Sequence, residues 1–219
     1  MAVKTLNVRE DILGANDLIA ENLRTQFDHS NVFVINLMSS PGAGKTSVIL
    51  KIIEHLADKL KIGVIEGDIA SDVDARKVEA ANVDVVQINT DGACHLDANM
   101  ILGACRSLGL DDKRLVIIEN VGNLVCPAEF KLGENLKVMI LSIPEGHDKP
   151  LKYPLMFTES DALILNKIDL LPHTDFDMEQ LRSTVTAMNP KIRIFPLSAK
   201  TGEGVDVFTG WLRGAVEGR

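Results

Sequence analysis

Ser39-Ser40-Pro41-Gly42-Ala43-Gly44-Lys45-Thr46 follows an apolar run, Val32 to Met38, and opens an amphipathic stretch that reaches about Leu60. Strand, glycine-bearing turn and helix form the setting in which a G-x-x-x-x-G-K-[ST] loop holds phosphates. Backbone amides of the turn and the unpaired N–H groups at the helix start converge on anionic oxygens, helped by the helix dipole. In this reading Pro41, Gly42, Ala43, Gly44, Lys45, Thr46 and Ser47 wrap the phosphates. Lys45 neutralises the terminal phosphates and the Thr46 hydroxyl ligates Mg²⁺. The pattern begins with Ser39 instead of Gly, a departure at a single position.

Working outward, seven short runs rich in Val, Ile and Leu recur at 32–38, 61–66, 83–88, 114–119, 137–142, 161–166 and 192–197. Most are continuously apolar, which suits strands buried on both faces of a mainly parallel sheet. Helical stretches are expected at 45–60, 94–108, 149–158, 177–188 and 204–216. The alternation predicts an α/β fold: a three-layer P-loop NTPase with about seven strands, its ligands at the carboxyl ends of the strands. Ahead of the first strand, Ile12, Ile19, Leu23 and Phe27 mark an amphipathic helix. Residues 1–30 are therefore expected as a helical extension packed on the sheet edge, and 31–219 as the nucleotide-binding domain.

A chain of 219 residues is long enough for one such domain with a full core. Its 23 basic against 31 acidic residues argue against nucleic acid bound through a basic face. Met1 to Asn7 hold no apolar signal core, and no apolar run approaches membrane-spanning length. The expected location is the cytoplasm, with no membrane partner. Three cysteines do not make a disulfide framework; they are core residues, catalytic thiols or metal ligands.

Asn166-Lys167-Ile168-Asp169 comes directly after the strand expected at Ala162–Leu165, about 120 residues beyond the phosphate loop. Guanine presents N1–H and N2–H₂ donors side by side, and the Asp169 carboxylate can accept both. Adenine offers an acceptor at N1 and loses these bonds, a mismatch that such sites reject by roughly 10⁴–10⁵-fold. Asn166 addresses O6/N7 and braces the phosphate loop, while the Lys167 stem covers the base. Backbone amides of Ser198-Ala199-Lys200 can contact O6. Together these elements indicate a GTPase, with residues 31–219 as its P-loop domain and GTP and GDP as its nucleotides.

The strand expected at Arg114–Ile118 leads into Glu119-Asn120-Val121-Gly122, where GTPases carry D-x-x-G. Glu119 can hold Mg²⁺ through a water, and the Gly122 amide can touch the γ-phosphate. Asp68, after expected strand 61–66, is placed to act behind Mg²⁺ or to orient water; Asp72 and Asp74 lie nearby. Lys45, Asp68, Glu119 and Gly122 are thus the candidate catalytic set.

Cys94-His95 opens the expected helix 94–108, and Cys126 lies in the loop four residues beyond Gly122. Thiolate and imidazole suit Zn²⁺ or Ni²⁺. There is no C-x-x-C, so the residues alone leave two readings open: a metal site, or three unrelated side chains. Three ligands leave a tetrahedral site incomplete, and a two-fold dimer can complete it by sharing. Cys126 beside the γ-phosphate sensor would then make metal affinity depend on nucleotide state. Cys105 fits the inner face of helix 94–108 as core packing.

The run Asn36 to Thr46, Glu66-Gly67-Asp68-Ile69-Ala70-Ser71-Asp72, Cys94-His95, Glu119 to Pro127 and Asn166 to Asp169 resemble the HypB family of hydrogenase nickel-incorporation GTPases. The similarity covers nearly the whole chain, and the Cys126 segment is its most specific part. The resemblance implies GTP-dependent homodimerisation and a Zn²⁺/Ni²⁺ site from Cys94, His95 and Cys126. It also implies nickel delivery to the [NiFe]-hydrogenase large subunit with a HypA-type chaperone as partner. No cysteine precedes Cys94. The cysteine motif and histidine-rich stretch that some members carry are therefore missing, and a nickel-storage role is not expected. Loop Pro144–Pro150 is a candidate nucleotide sensor or dimer contact. Three rivals stand beside this reading, one of them a non-hydrolysing binding module. Urease-maturation GTPases carry Cys-Pro-His, whereas Cys94-His95 has no intervening Pro. A small-molecule kinase needs a lid-type Arg cluster that this sequence lacks.

Overall fold

The apolar runs assemble into one seven-stranded sheet of order β3-β2-β4-β1-β5-β6-β7. Every neighbouring pair is parallel. The structure, a computed structural model, describes residues 8–68 and 73–218. The elements are α1 (Val8–His29), β1 (Phe33–Ser39), α2 (Lys45–Leu56), β2 (Ile62–Asp68), α3 (Val73–Glu79), β3 (Asp84–Asn89), α4 (Ala98–Leu108) and β4 (Leu115–Glu119). They continue with α5 (Cys126–Glu129), β5 (Leu136–Ser142), α6 (Lys149–Lys152), α7 (Pro154–Thr158), β6 (Ala162–Asn166), α8 (Met178–Met188), β7 (Arg193–Pro196) and α9 (Val205–Glu217). Short 3₁₀ turns at Ile143–Glu145 and Ile168–His173 follow β5 and β6.

Burial explains the sequence pattern strand by strand. Central β1, β4 and β6 are buried at every position, as continuous apolar runs require. Edge strands β3 and β7 are partly exposed. Side chains alternate between the two faces. Ile35, Leu37 and Ile117 join Ile49 and Ile52 of α2 and Phe208 and Leu212 of α9. On the other face Val34, Val116 and Ile118 meet α1 and α4. Farther along that face, Met139, Leu163 and Leu165 meet α7 and α8 through Phe157, Leu181 and Val185. The result is three layers. No helix among the described residues is long and apolar enough to cross a membrane.

Helix α1 does not lie at the sheet edge as expected. Its Ala20, Leu23 and Phe27 are buried over the central strands β1 and β4, beside α4, because Val34, Val116 and Ile118 leave an apolar face there that α4 alone does not cover. Ile12, expected on the inner stripe, is 54% exposed. Other boundaries shift for local reasons. The expected helix 94–108 begins at Ala98, since Asp97 is its N-cap and accepts the Met100 N–H at 2.8 Å. The expected helix 149–158 breaks in two at Tyr153, whose φ of −132° is non-helical, because it precedes Pro154. The helix expected to reach residue 60 stops at Leu56. Helices α3 and α5 were not foreseen; Cys126 opens the latter instead of lying in open loop.

Phe27 is fully buried, so Phe27→Ala should lower the free energy of unfolding by about 3–5 kcal/mol. Ile12→Ala should change it by less than about 0.5 kcal/mol. Urea denaturation of the two variants measures both.

Candidate functional site

A parallel sheet delivers the carboxyl ends of all its strands to one edge. Read along that edge, the strand order sets Cys94-His95 after β3, Asp68 at the end of β2 and Glu119 to Cys126 after β4. Next come the phosphate loop after β1, Glu145 after β5, Asn166 to Asp169 at β6 and Ser198 to Lys200 after β7. Cys/His candidates stand at one end, base-recognition candidates at the other, and the phosphate loop lies between them.

At the phosphate loop, Gly44 is the N-cap of α2 with φ 102°, and no side chain caps the helix. The first-turn amides of α2 therefore keep their donors for an anion. A Cβ on Gly44 would stand 2.5 Å from Asn166 Nδ2, so this position needs glycine for space as well as for φ. Lys45 Nζ donates to Ser39 Oγ at 3.2 Å, and that hydroxyl donates to the Ser40 carbonyl at 2.7 Å. The irregular Ser39 thus orients the lysine across the loop. Thr46 Oγ1 donates to Glu119 Oε1 at 3.2 Å. A hydroxyl and a carboxylate this close form the hard-oxygen donor set that suits Mg²⁺. The extra methylene of Glu119 is accommodated, since its carboxylate reaches Thr46 across the β1–β4 pairing. Gly122 lies against the loop: a Cβ there would be 3.0 Å from the Pro41 backbone nitrogen. Asp68 ends β2; its side chain, Asp72 and the side chain of Asp74 lie outside the described part of the structure.

On the other side, Asn166 is buried and locked by three bonds. Its Nδ2 donates to the Ala43 carbonyl at 2.9 Å, and its Oδ1 accepts from Lys167 N and Ala199 N at 2.8 and 3.1 Å. It braces the phosphate loop and the 198–200 turn together. Lys167, at φ 64°, sends Nζ to the Gly42 carbonyl at 2.7 Å, so its stem bridges from β6 to the loop. Asp169 Oδ1 accepts from Ser198 Oγ at 2.6 Å. Gly44, Ser47, Asn166, Lys167, Asp169, Ala199 and Lys200 line one cavity of ≈ 390 Å³.

At the opposite end, ligand atoms of Cys94, His95 and Cys126 lie within 4.8 Å of one another. Atoms bound to one tetrahedral ion at about 2.0–2.3 Å stand roughly 3.3–3.8 Å apart, so the group can converge on a single Zn²⁺ or Ni²⁺ once the two thiols separate by under about 1 Å. Both thiols are free, with Sγ atoms 3.0 Å apart. His95 stacks on Phe130 at 3.8 Å between ring centroids. Burial pulls the imidazole below its ordinary value, against Asp97 and Glu129, which keeps a lone pair for a metal. The Cys126 thiol is raised, first by its hydrogen bond with Cys94 and then by burial. Burial pushes Cys105 up to about 12, so it remains a core thiol, as expected.

Sequence reasoning missed several side chains here. Glu145 accepts hydrogen bonds from Ser40 Oγ of the phosphate loop and, at 2.7 Å each, from Ser142 N and Oγ. Asn120 and Asn123 bond to the Cys94–Leu96 stretch. Their only signal was position: Glu145 sits in the Pro144–Pro150 loop, and the asparagines sit inside the segment quoted for Cys126. His147 bonds to the start of α8, where its Nδ1 accepts from Asp177 N at 3.1 Å.

The chain matches the family model "CobW/HypB/UreG, nucleotide-binding domain" over residues 19–196. It is 49% identical to the hydrogenase maturation factor HypB of Azotobacter vinelandii over 95% of this chain and 69% of that protein. It is 38% identical to the hydrogenase/urease maturation factor HypB of Helicobacter pylori (strain J99), over 97% of this chain and 88% of that one. The crystal structure of HypB from Helicobacter pylori in complex with nickel superposes with a TM-score of 0.88 at 36% identity, covering 93% of this chain and 95% of that one.

Because the Cys126 thiol is raised, it is protonated across neutral pH and a metal must displace that proton. His95, being lowered, needs no deprotonation there. Cys94 binds as a thiolate too, so metal affinity should rise with pH through the neutral range by at least about tenfold per unit, the share of the Cys126 proton alone. Zinc titrations at several pH values, with proton release read in two buffers, measure it.

Proposed function

The chain belongs to the HypB family within the CobW/HypB/UreG group, and from that premise we propose that it is a GTP-hydrolysing metallochaperone switch assisting nickel insertion into [NiFe]-hydrogenase. The observation that carries this reading is the Cys94–His95–Cys126 group, whose third ligand lies four residues beyond Gly122 on the segment that leaves β4. Ligand and γ-phosphate sensor thus share one short stretch of chain.

GTP is read from both ends of the edge. Asp169 accepts the paired guanine donors once Ser198 yields its bond, and Asn166 holds the base side and the phosphate loop in one frame. The α2 amides and Lys45 take the phosphate charge. Thr46 holds Mg²⁺, with Glu119 and Asp68 behind it; bound there, the ion neutralises charge developing on the transferred phosphoryl oxygens. The Gly122 amide lies beside Pro41 and meets the γ-phosphate. Loss of that phosphate releases Gly122, and Cys126 moves with it. One thiolate out of place weakens the hold on Zn²⁺ or Ni²⁺, so hydrolysis times the release of the cargo. Three ligands per chain leave one coordination position open. A GTP-dependent homodimer that shares the site fills it, and a HypA-type chaperone with the hydrogenase large subunit stands on either side of the transfer. The α1 helix is an extension of this GTPase domain, and the cytoplasm is its place of work.

Urease is a second client with one point in its favour, the name of the Helicobacter pylori relative. Against it stands Cys94-His95 without the intervening proline.

The chain should release phosphate from GTP and not from ATP. Asp169→Asn, which keeps one acceptor and adds a donor, should weaken GTP binding by at least about 100-fold and improve binding of XTP, whose C2 carbonyl accepts. Fluorescent-nucleotide titrations and phosphate release check both, and equal use of ATP refutes the assignment. Metal bound per monomer should approach one-half with a non-hydrolysable GTP analogue, and Cys126→Ala should abolish that binding. Equilibrium dialysis with metal analysis is the measurement.

A further inference from the structure

Cys94 and His95 follow β3, yet hydrogen bonds tie them to the segment that follows β4. Asn120 is buried, 1% exposed. Its backbone N–H donates to Leu37 O at 3.0 Å and its Nδ2 to Asn36 Oδ1 at 3.2 Å, both on β1. Its Oδ1 accepts from Leu96 N at 3.1 Å, the amide immediately after His95. Asn120 therefore fastens one side of the ligand pair to the central strands.

Asn123 holds the other side. Its Nδ2 donates to the Cys94 carbonyl at 3.2 Å, and its Oδ1 accepts from Val125 N at 2.9 Å, one residue before Cys126. Gly122, against the phosphate loop, lies between the two asparagines. The amide ahead of it is anchored in the sheet; the amide behind it bonds, among the described residues, only to the Cys94 and Cys126 loops. A shift of Gly122 then pulls the Cys94 carbonyl and the Cys126 turn through Asn123, while Asn120 keeps Leu96, and so the His95 side, in place.

We propose that Asn120 and Asn123 are the positioning residues that convert nucleotide state into metal-site geometry, Asn120 as the fixed anchor and Asn123 as the moving link. This rests on the switch reading above, and it names the part of the switch that neither the metal ligands nor the phosphate contacts supply. Coupling between two sites requires an element that both bias. Here that element is the 120–126 turn, which touches the phosphate loop at Gly122 and the ligand loop at two amides. The bonds at Asn123 can be separated chemically. Asn123→Asp keeps the acceptor for Val125 N and loses the donors to the Cys94 carbonyl and the Cys126 thiol; Asn123→Ala loses all three.

The test uses the full chain and nickel(II), with dissociation constants measured in GDP and in a non-hydrolysable GTP analogue. The wild-type ratio between the two states should be about tenfold or more. In Asn123→Asp and Asn123→Ala it should fall to within about threefold of unity, while metal-free nucleotide affinity stays within about twofold of wild type. By reciprocity, the effect of nickel on the ratio of analogue to GDP affinity should collapse by the same factor. If the variants weaken nickel equally in both states and keep the wild-type ratio, Asn123 only stiffens a loop and the inference is overturned. A wild-type ratio near unity overturns the switch reading itself, and the inference with it.

Discussion

The pairing of β1 with β4 is the constraint on which the rest depends. Strand β4 enters the sheet between β2 and β1, in register that sets Leu37 beside Glu119. From that one choice follow the approach of Glu119 to Thr46, the contact of Gly122 with Pro41 and the seat of Asn120 on Asn36. It also brings the end of β4 within reach of the loop after β3, two strands away, so that Cys126 meets Cys94. The register is held by burial: β1 and β4 expose no residue, and a slip by one position would turn each apolar side chain to the opposite face.

Polar groups at the carboxyl edge are arranged so that few of them are local. Asn166 reaches across 123 residues of chain to the Ala43 carbonyl, Lys167 across 125 to Gly42 and Glu145 across 105 to Ser40. Two bonds from the end of β6 and one from the turn after β5 thus tie two strand ends to the phosphate loop. An open helix N-terminus with no side-chain cap is costly to leave unsolvated in a core but favourable at a surface where an anion can take its donors. The loop is therefore braced from behind by side chains and left bare in front.

The same economy appears at the cysteine end. His95 is steadied by Phe130, and α4 behind it is capped by Asp97. Asn16 of α1 accepts the Ala98 N–H and donates to the Lys131 carbonyl. Helix α1 thus links the starting turn of α4 to the chain beyond α5. Packed over the central strands, it supports both loops that carry the ligand group.

Local pattern determined the strands, their parallel arrangement and the phosphate loop, because burial on both faces and the needs of an anion site act on neighbouring residues and leave a periodic or contiguous trace. The residues expected to read the base were legible as one group for the same reason: Asn166, Lys167 and Asp169 lie in one turn. What escaped depends on distance. Whether Cys94, His95 and Cys126 meet is set by strand order, which no spacing encodes. The role of Asn120 and Asn123 follows from which backbone groups face them across the β2–β4–β1 region, and the place of α1 follows from how much apolar sheet α4 leaves uncovered. Helix limits at Asp97 and Pro154 were written in the sequence as a cap and a breaker, but their weight against the surrounding helical pattern became clear only where the chain had to turn. The sequence alone determined which chemical groups this protein brings to its edge; the tertiary structure decided which of them touch, because contact between loops of different strands is a property of the sheet order.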